Sequence, residues 1–183
     1  MAGLILHLVR HPPPVVAPGT CYGRLDVPAQ GVAEAAARLQ GLLPPGLPVW
    51  SSPLRRCREL AERLHPAPRL DGRLQEMDFG AWEGQLWETV ARPALDAWAA
   101  DVAGFAPPGG ESGAAVQARA LAWVAECGET EAVVVTHGGV IRVLAAHWLG
   151  LAPAEWPALV IPHGSLTTVE LAGSTARVVC LGR

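Results

Sequence analysis

The chain has 183 residues, half of them apolar and 17% charged, with a formal net charge of −3. That length suits one domain with its own core, and the composition excludes a disordered tail or an arm that binds a polyanion. All 14 lysine-plus-arginine positions are arginine, so lysine-dependent chemistry (P-loop, Schiff base, pyridoxal anchor) is excluded. The cysteines at 21, 57, 127 and 180 form no C-x-x-C pair, which argues against a zinc knuckle or a redox dithiol. No charged n-region precedes a cleavable apolar stretch at the N-terminus. The apolar region Ala132–Ile161 is broken by His137, Arg142, His147 and two prolines, too often to span a membrane. The expected location is the cytoplasm.

In chain order, Leu4–Val9 is apolar on both pleat faces, as a central strand covered by helices on each side must be. It ends in Arg10-His11, and Pro12-Pro13-Pro14 then forbid continuation, because proline offers no N–H to the ladder. Gly31–Leu43 is an alanine-rich helix stopped by Pro44-Pro45-Gly46. Pro48–Ser52 reads as a short strand, followed by a helix from Pro53 to Leu64 with Ser52 as its N-cap. Trp82–Pro108 carries Trp82, Trp87 and Trp98 and reads as a helical excursion over the sheet. Glu111–Cys127 is a helix whose Glu111-Ser112 start suits an N-cap and the helix dipole. The β-branched run Glu131–Thr136 meets His137 and a Gly138-Gly139 turn, then a helix over Val140–Leu149. Ser165–Leu171 and Ala176–Leu181 are strands joined by a Gly-Ser turn. This alternation predicts a three-layer α/β/α sandwich with a mostly parallel central sheet.

Ligands of open α/β sheets bind beyond the carboxyl ends of the strands. Arg10-His11, Ser52–Arg56 and His137 fall at three such ends, with the amides of Gly138 and Gly139 opening a helix, an arrangement suited to an anion. Arginine's planar fork matches phosphate oxygens. The constellation reads as a phosphate held between cations, with a histidine placed to attack it. On a helical wheel of about 100° per residue, Leu54, Cys57, Leu60, Ala61 and Leu64 form one apolar face. Arg55 falls opposite, Arg56 and Arg58 on the shoulders, and Arg56 lies nearer the rim.

Four segments, "LVRH", "SSPLRRCRELA", "LQEMDFGAWEG" and "VVVTHGGVIR", occur in this order between residues 4 and 142. Together they resemble the histidine phosphatase superfamily, in the branch that contains phosphoglycerate mutases and small-molecule phosphatases. "CYGRLDVP" and the short chain look most like the alpha-ribazole phosphatases of cobalamin synthesis. The resemblance implies a phosphoglycerate mutase-like fold, His11 as nucleophile and Arg10, Arg56 and His137 as phosphate ligands alongside Gly138. It makes Glu76 the acid that protonates the leaving oxygen, and puts Tyr22 and Gly23 on the substrate side. Glu83 belongs to a recurrent motif but does not align with the acid. No cofactor and no metal are implied.

Chemistry agrees with those roles. A phosphate monoester leaves poorly unless its bridging oxygen is protonated. Two arginines and a histidine can offset the charge on the equatorial oxygens without a metal. Flanking arginines also favour the neutral, nucleophilic imidazole. The sequence departs from the family where Pro12–Pro14 replace a glycine and later residues, including an asparagine phosphate ligand that has no match. "DVPAQG" is also shorter than the usual segment.

The activity expected is therefore a metal-independent phosphomonoesterase with a phosphohistidine intermediate, acting on alpha-ribazole 5′-phosphate. The alternatives are a broad-specificity phosphatase, a phosphoglycerate mutase, a phosphohistidine-protein phosphatase or a non-catalytic module that binds a phosphorylated ligand. The expected partner is a small phosphate ester, with no nucleic acid, no membrane and at most a second copy of the chain. His7 reads as a core histidine, and His65, His147 and His163 carry no functional assignment. A shared metal on His7 and His11 is not expected, because residues four apart in a strand do not easily reach one ion. The three tryptophans read first as core and second as specificity residues.

Overall fold

The computed structural model describes residues 3–173 and 175–183. Its strands are β1 (Leu4–Arg10), β2 (Val49–Ser51), β3 (Arg69–Leu70), β4 (Glu131–Thr136), β5 (Leu166–Ala172) and β6 (Thr175–Cys180). Its α-helices are α1 (Val32–Gln40), α2 (Arg55–Leu64), α3 (Arg92–Ala100), α4 (Gly113–Glu126) and α5 (Gly138–Leu149). The six strands form one sheet in the order β3-β2-β4-β1-β5-β6. The β3-β2-β4-β1 half is parallel, and β5 turns antiparallel against β1 with β6 antiparallel beyond it.

Side chains alternate across the pleat, so each inner strand feeds two cores. Leu6, Leu8, Ala132 and Val134 pack with Trp123, Ile141 and Leu144 of α4 and α5. Val9, Val133 and Val135 face the other way, onto Leu39 of α1 and Cys57 and Leu60 of α2. This is why β1 and β4 read as unbroken apolar runs. The result is the expected α/β sandwich with a mostly parallel sheet. His7 is a core histidine as expected, bonded to Glu131 and Thr168.

Several boundaries differ from the sequence reading. Helix α2 starts at Arg55 with Leu54 as its N-cap, and its first N–H, that of Arg55, is taken by Asp26 Oδ1 from a distant loop at 2.6 Å. The Ser52 hydroxyl accepts the Leu54 N–H at 3.3 Å and is otherwise engaged in the site. Helix α5 begins at Gly138, two residues early, because both glycines tolerate helical geometry once packing demands it. Strand β3 was not foreseen: it is two exposed residues long, too short to show a period. The Gly-Ser turn expected between β5 and β6 involves Ser174, which lies outside the described residues.

The excursion is only partly helical. Short 3-10 turns at Gly80–Trp82 and Trp87–Thr89 precede α3. It carries a small core of its own, in which Trp82, Val90 and Cys21 are buried against Phe79, Trp87, Trp98 and Phe105. Trp87 and Trp98 stack with centroids 5.7 Å apart. Gly80, at φ +52°, fastens this unit, since a Cβ there would collide with the Pro108 carbonyl. Among the described residues no helix is long and apolar enough to cross a membrane.

Leu144 of α5 is fully buried in the larger core. Leu144→Ala is expected to cost about 2–5 kcal/mol, read as a lowered urea midpoint at an unchanged m-value. A loss below about 1 kcal/mol would mean that this side of the sheet is not close-packed.

Candidate active site

Strand β1 carries His11 one residue past its end. The His11 N–H still donates to Thr136 O of β4 at 3.0 Å, and the Gly164 N–H donates back to the carbonyls of Arg10 and His11. The imidazole is 1% exposed. Its Nδ1–H donates to the Pro12 carbonyl at 2.6 Å. This selects the tautomer with a free lone pair on Nε2, the atom that faces the site. Sequence reading saw Pro12 only as a lost donor, whereas the fold uses its acceptor. Burial holds the His11 pKa well below the ordinary value, and Arg56 and Arg10 lower it further against the opposing pull of the Pro12 bond.

Arg56 is fully buried, as the wheel placed it, while Arg55 pairs in solvent with Glu59 and Arg58 with Glu62. Its Nε donates to His11 Nε2 at 3.3 Å, its Nη1 to Leu25 O at 2.7 Å and its Nη2 to Gly23 O at 2.6 Å. The guanidinium also lies over the Tyr22 ring, 5.2 Å from its centroid. Among the described residues no carboxylate oxygen comes within 4.0 Å of it. Tyr22 and Gly23 thus reach the site by bracing Arg56. Gly23 can carry no side chain, because a Cβ would lie 2.6 Å from the Phe79 ring.

His137 caps α5 and is fully buried, its ring centroid 5.1 Å from that of His11. The Ser52 hydroxyl bonds its Nε2 at 2.8 Å, and the Cys57 thiol lies 3.4 Å from the same nitrogen while donating to Thr136 O. Burial, then Arg56 and His11, hold the His137 pKa well below the ordinary value. The Cys57 thiol is pushed strongly upward by burial and stays protonated.

Arg10 donates from Nη1 to Ile161 O and from Nη2 to Nε2 of His163 at 2.8 Å. It lies against Gly138, where a Cβ would stand 3.0 Å from Cζ. His163, to which the sequence reading gave no function, is a third histidine in the site, its centroid 5.4 Å from that of His11. It also faces the Tyr22 hydroxyl at 3.4 Å. Burial and the guanidiniums of Arg10 and Arg56 lower its pKa to about 4. Its one sequence signal was a histidine ahead of the Gly164 turn into β5. Only the antiparallel pairing of β5 with β1 brings that turn to the rim.

Glu76 sits across the rim from the histidines. Its Oε2 accepts the Gly139 N–H at 3.0 Å and its Oε1 the Met77 N–H at 2.9 Å. This corrects one expectation: the Gly139 amide at the start of α5 is occupied by the chain's own carboxylate, and no side chain fits between them. The segment bearing Glu76 is pinned from behind. Arg119 donates to Arg73 O and Glu76 O, and Thr136 Oγ1 to Leu74 O at 2.7 Å. Arg119 is in turn held by Glu111, which also accepts from Arg24 and the Asp78 N–H. Burial would raise Glu111, but the Arg119 bonds outweigh it and keep its carboxyl below the usual range. Ser112 caps α4 as expected, accepting the Ala115 N–H. Glu83 accepts the N–H groups of Arg24 and Phe79 and braces that loop.

Two buried histidines, the solvent-facing His163 and two guanidiniums therefore face one carboxylate across a small space. Beside Arg10 and Glu76 opens a cavity of about 440 Å³, walled by Phe79, Trp98 and Trp156. Of the excursion's three tryptophans, only Trp98 lines it.

The profile of the histidine phosphatase superfamily (branch 1) matches residues 6–183. A glucosyl-3-phosphoglycerate phosphatase of Mycobacterium tuberculosis is 40% identical over 146 residues, covering 69% of this chain and 65% of that protein. The chain thus spans just under two thirds of that relative's length. A second, from Mycolicibacterium vanbaalenii, is 35% identical over 165 residues, covering 80% of this chain and 70% of its own. Among solved structures, the native mycobacterial glucosyl-3-phosphoglycerate phosphatase superposes with a TM-score of 0.83 at 29% identity, over 98% of this chain and 99% of that one. A protein from Thermus thermophilus does so at 0.78 and 36% identity, over 97% and 98%.

The three lowered histidines set a pH dependence. At pH 7 they are neutral in both states and contribute nothing through linkage. As pH falls through about 6.5, the unfolded chain binds protons that the folded one refuses, so stability falls on acidification. The melting temperature is expected to drop by several degrees between pH 7 and pH 5, and less in His163→Asn. A flat profile over that range would show that the histidines are not held neutral.

Proposed function

The chain belongs to the histidine phosphatase superfamily, branch 1, and from that premise we propose that it hydrolyses phosphate monoesters through a phosphohistidine at His11. One observation carries this reading: His11 is buried and neutral, with Nδ1–H fixed on the Pro12 carbonyl and Nε2 aimed at the Arg56 guanidinium. An incoming phosphate supplies the counter-charge that Arg56 lacks, and takes the donor now spent on Nε2. The freed lone pair attacks phosphorus and the ester P–O bond breaks. Glu76 relays to the departing oxygen the proton that a monoanionic ester brings in. In the second half Glu76 takes a proton from water, the hydroxide displaces phosphorus from Nε2, and inorganic phosphate leaves with the N–P electron pair returned to the ring. Arg10, Arg56 and His137 surround the equatorial oxygens, where phosphoryl transfer concentrates charge. Guanidinium charge fills the part that a metal plays elsewhere.

For the substrate, two observations favour different esters. The curated relatives carry the name glucosyl-3-phosphoglycerate phosphatase, which supports a phosphorylated hydroxy acid. The "CYGRLDVP" segment and the aromatic walls of the cavity support alpha-ribazole 5′-phosphate, whose flat apolar base would stack on Phe79 or Trp98. Assaying both esters side by side decides between them.

The mechanism is tested with p-nitrophenyl phosphate in EDTA. Turnover is expected to resist the chelator and to fall at least about 10³-fold in His11→Ala. Glu76→Gln should cost about 10²–10⁴-fold on alkyl esters, but far less on p-nitrophenyl phosphate, whose leaving group departs without a proton. Activity retained by His11→Ala would overturn the phosphohistidine. No turnover of any ester by wild type would leave a ligand-binding module.

A further inference from the structure

One cation at the site has no part in the mechanism above. Arg142 lies one turn into α5, three residues after Gly139. Helical side chains lean toward the N-terminus, so its guanidinium reaches back toward Gly139, Glu76 and the cavity that it lines with Arg10. Its Nε donates to Leu159 O at 3.2 Å. Among the described residues its two Nη groups have no hydrogen-bond partner, and no carboxylate oxygen lies within 4.0 Å. Burial lowers its pKa, with Glu76 opposing and Arg10 adding to the effect. The walls around it are otherwise apolar: Met77, Phe79, Trp98, Val143 and Trp156. A partly buried guanidinium without a counter-ion in such surroundings is favourably placed to receive an anion.

The placement also has a spacing. Arg142 hangs on Leu159 O, and Arg10 on Ile161 O of the same segment. Two residues of chain span at most about 7 Å, so the two guanidiniums are tethered side by side on one wall. Arg10 belongs to the phosphate. Glu76, at the boundary between phosphate site and cavity, marks where the leaving oxygen must lie. A group just beyond that oxygen comes under Arg142.

We propose that Arg142 binds a carboxylate on the leaving group, so that the protein prefers phosphate monoesters of hydroxy acids over neutral esters of the same shape. This rests on the phosphatase reading above and deepens it. Were Arg142 there only to hold the Leu159 carbonyl, or to act on Glu76, its loss would affect charged and neutral esters alike.

The test uses a matched pair, 4-carboxyphenyl phosphate and phenyl phosphate, and reads the ratio of their kcat/KM values. Wild type is expected to favour the carboxylated ester about tenfold or more, with the ratio falling as salt rises. Arg142→Gln should lower that ratio at least tenfold, chiefly through KM of the carboxylated ester, while Arg142→Lys keeps most of it. The small intrinsic difference in reactivity between the phenols cancels between proteins. A wild-type ratio near one, a ratio insensitive to salt, or a ratio unchanged in a folded Arg142→Gln protein would overturn the inference and leave the phosphatase reading intact. If wild type hydrolyses neither ester, the phosphatase reading fails and this one falls with it. Should Arg142→Gln not fold, the wild-type salt dependence and Arg142→Lys still decide.

Discussion

A guanidinium taken wholly out of water without a carboxylate beside it constrains everything around Arg56. Such a charge is tolerated only where its N–H groups are bonded and a counter-charge can reach it. The chain meets the first condition with two backbone carbonyls, Gly23 O and Leu25 O, a π-face from Tyr22, and the lone pair of His11. Those contacts fold the Cys21–Pro28 loop over the start of α2. They bring Gly23 against Phe79, which admits no side chain there, and Glu83 ties the same loop to Phe79 and Arg24. The second condition is left to the ligand, which explains why the site is built around an anion.

The same charge acts on the histidines. His11 and His137 share a desolvated space with Arg56, His163 and Arg10 stand at its open edge, and each histidine is pushed toward the neutral form. For His11 neutrality makes the nucleophile. For His163 it makes an acceptor, whose Nε2 receives an Arg10 N–H and so steers that guanidinium toward the rim. The negative groups are sorted elsewhere. Glu76 stands across the gap on the Gly139 amide, while Glu111 and Asp78 lie behind it with Arg24 and Arg119. They hold the backbone that positions Glu76 and stay out of the phosphate space.

Much of the site was legible because it sits where sequence period and chain termination coincide. Arg10-His11 and His137 stand at the ends of runs that are apolar on both faces, and such runs can only be central strands. Arg56 followed from the helical wheel of α2, since packing against the sheet fixes which shoulder turns inward. Ser52 illustrates the limit: its sequence position suits a helix cap, but the nearby His137 imidazole is the stronger claim on its hydroxyl. The Trp82–Trp98 excursion was visible as a composition shift, yet its split into 3-10 turns, α3 and an aromatic core was not, because contacts between distant rings set it.

By itself the sequence determined the alternating α/β order, the strand ends that bear His11 and His137, and the choice of Arg56. Each of these depends on local period and on where the backbone may continue. Only the tertiary structure decided the rest. His163 enters the site because β5 runs antiparallel beside β1, a pairing between residues more than 150 apart. The His11 tautomer is set by a carbonyl of proline, which no residue pattern reveals. The Gly139 amide goes to Glu76, and Arg142 lines the cavity because α5 packs beside the Leu159–Ile161 segment. Burial and electrostatic partnership arise from groups far apart in the chain, and they come into being only when the layers close.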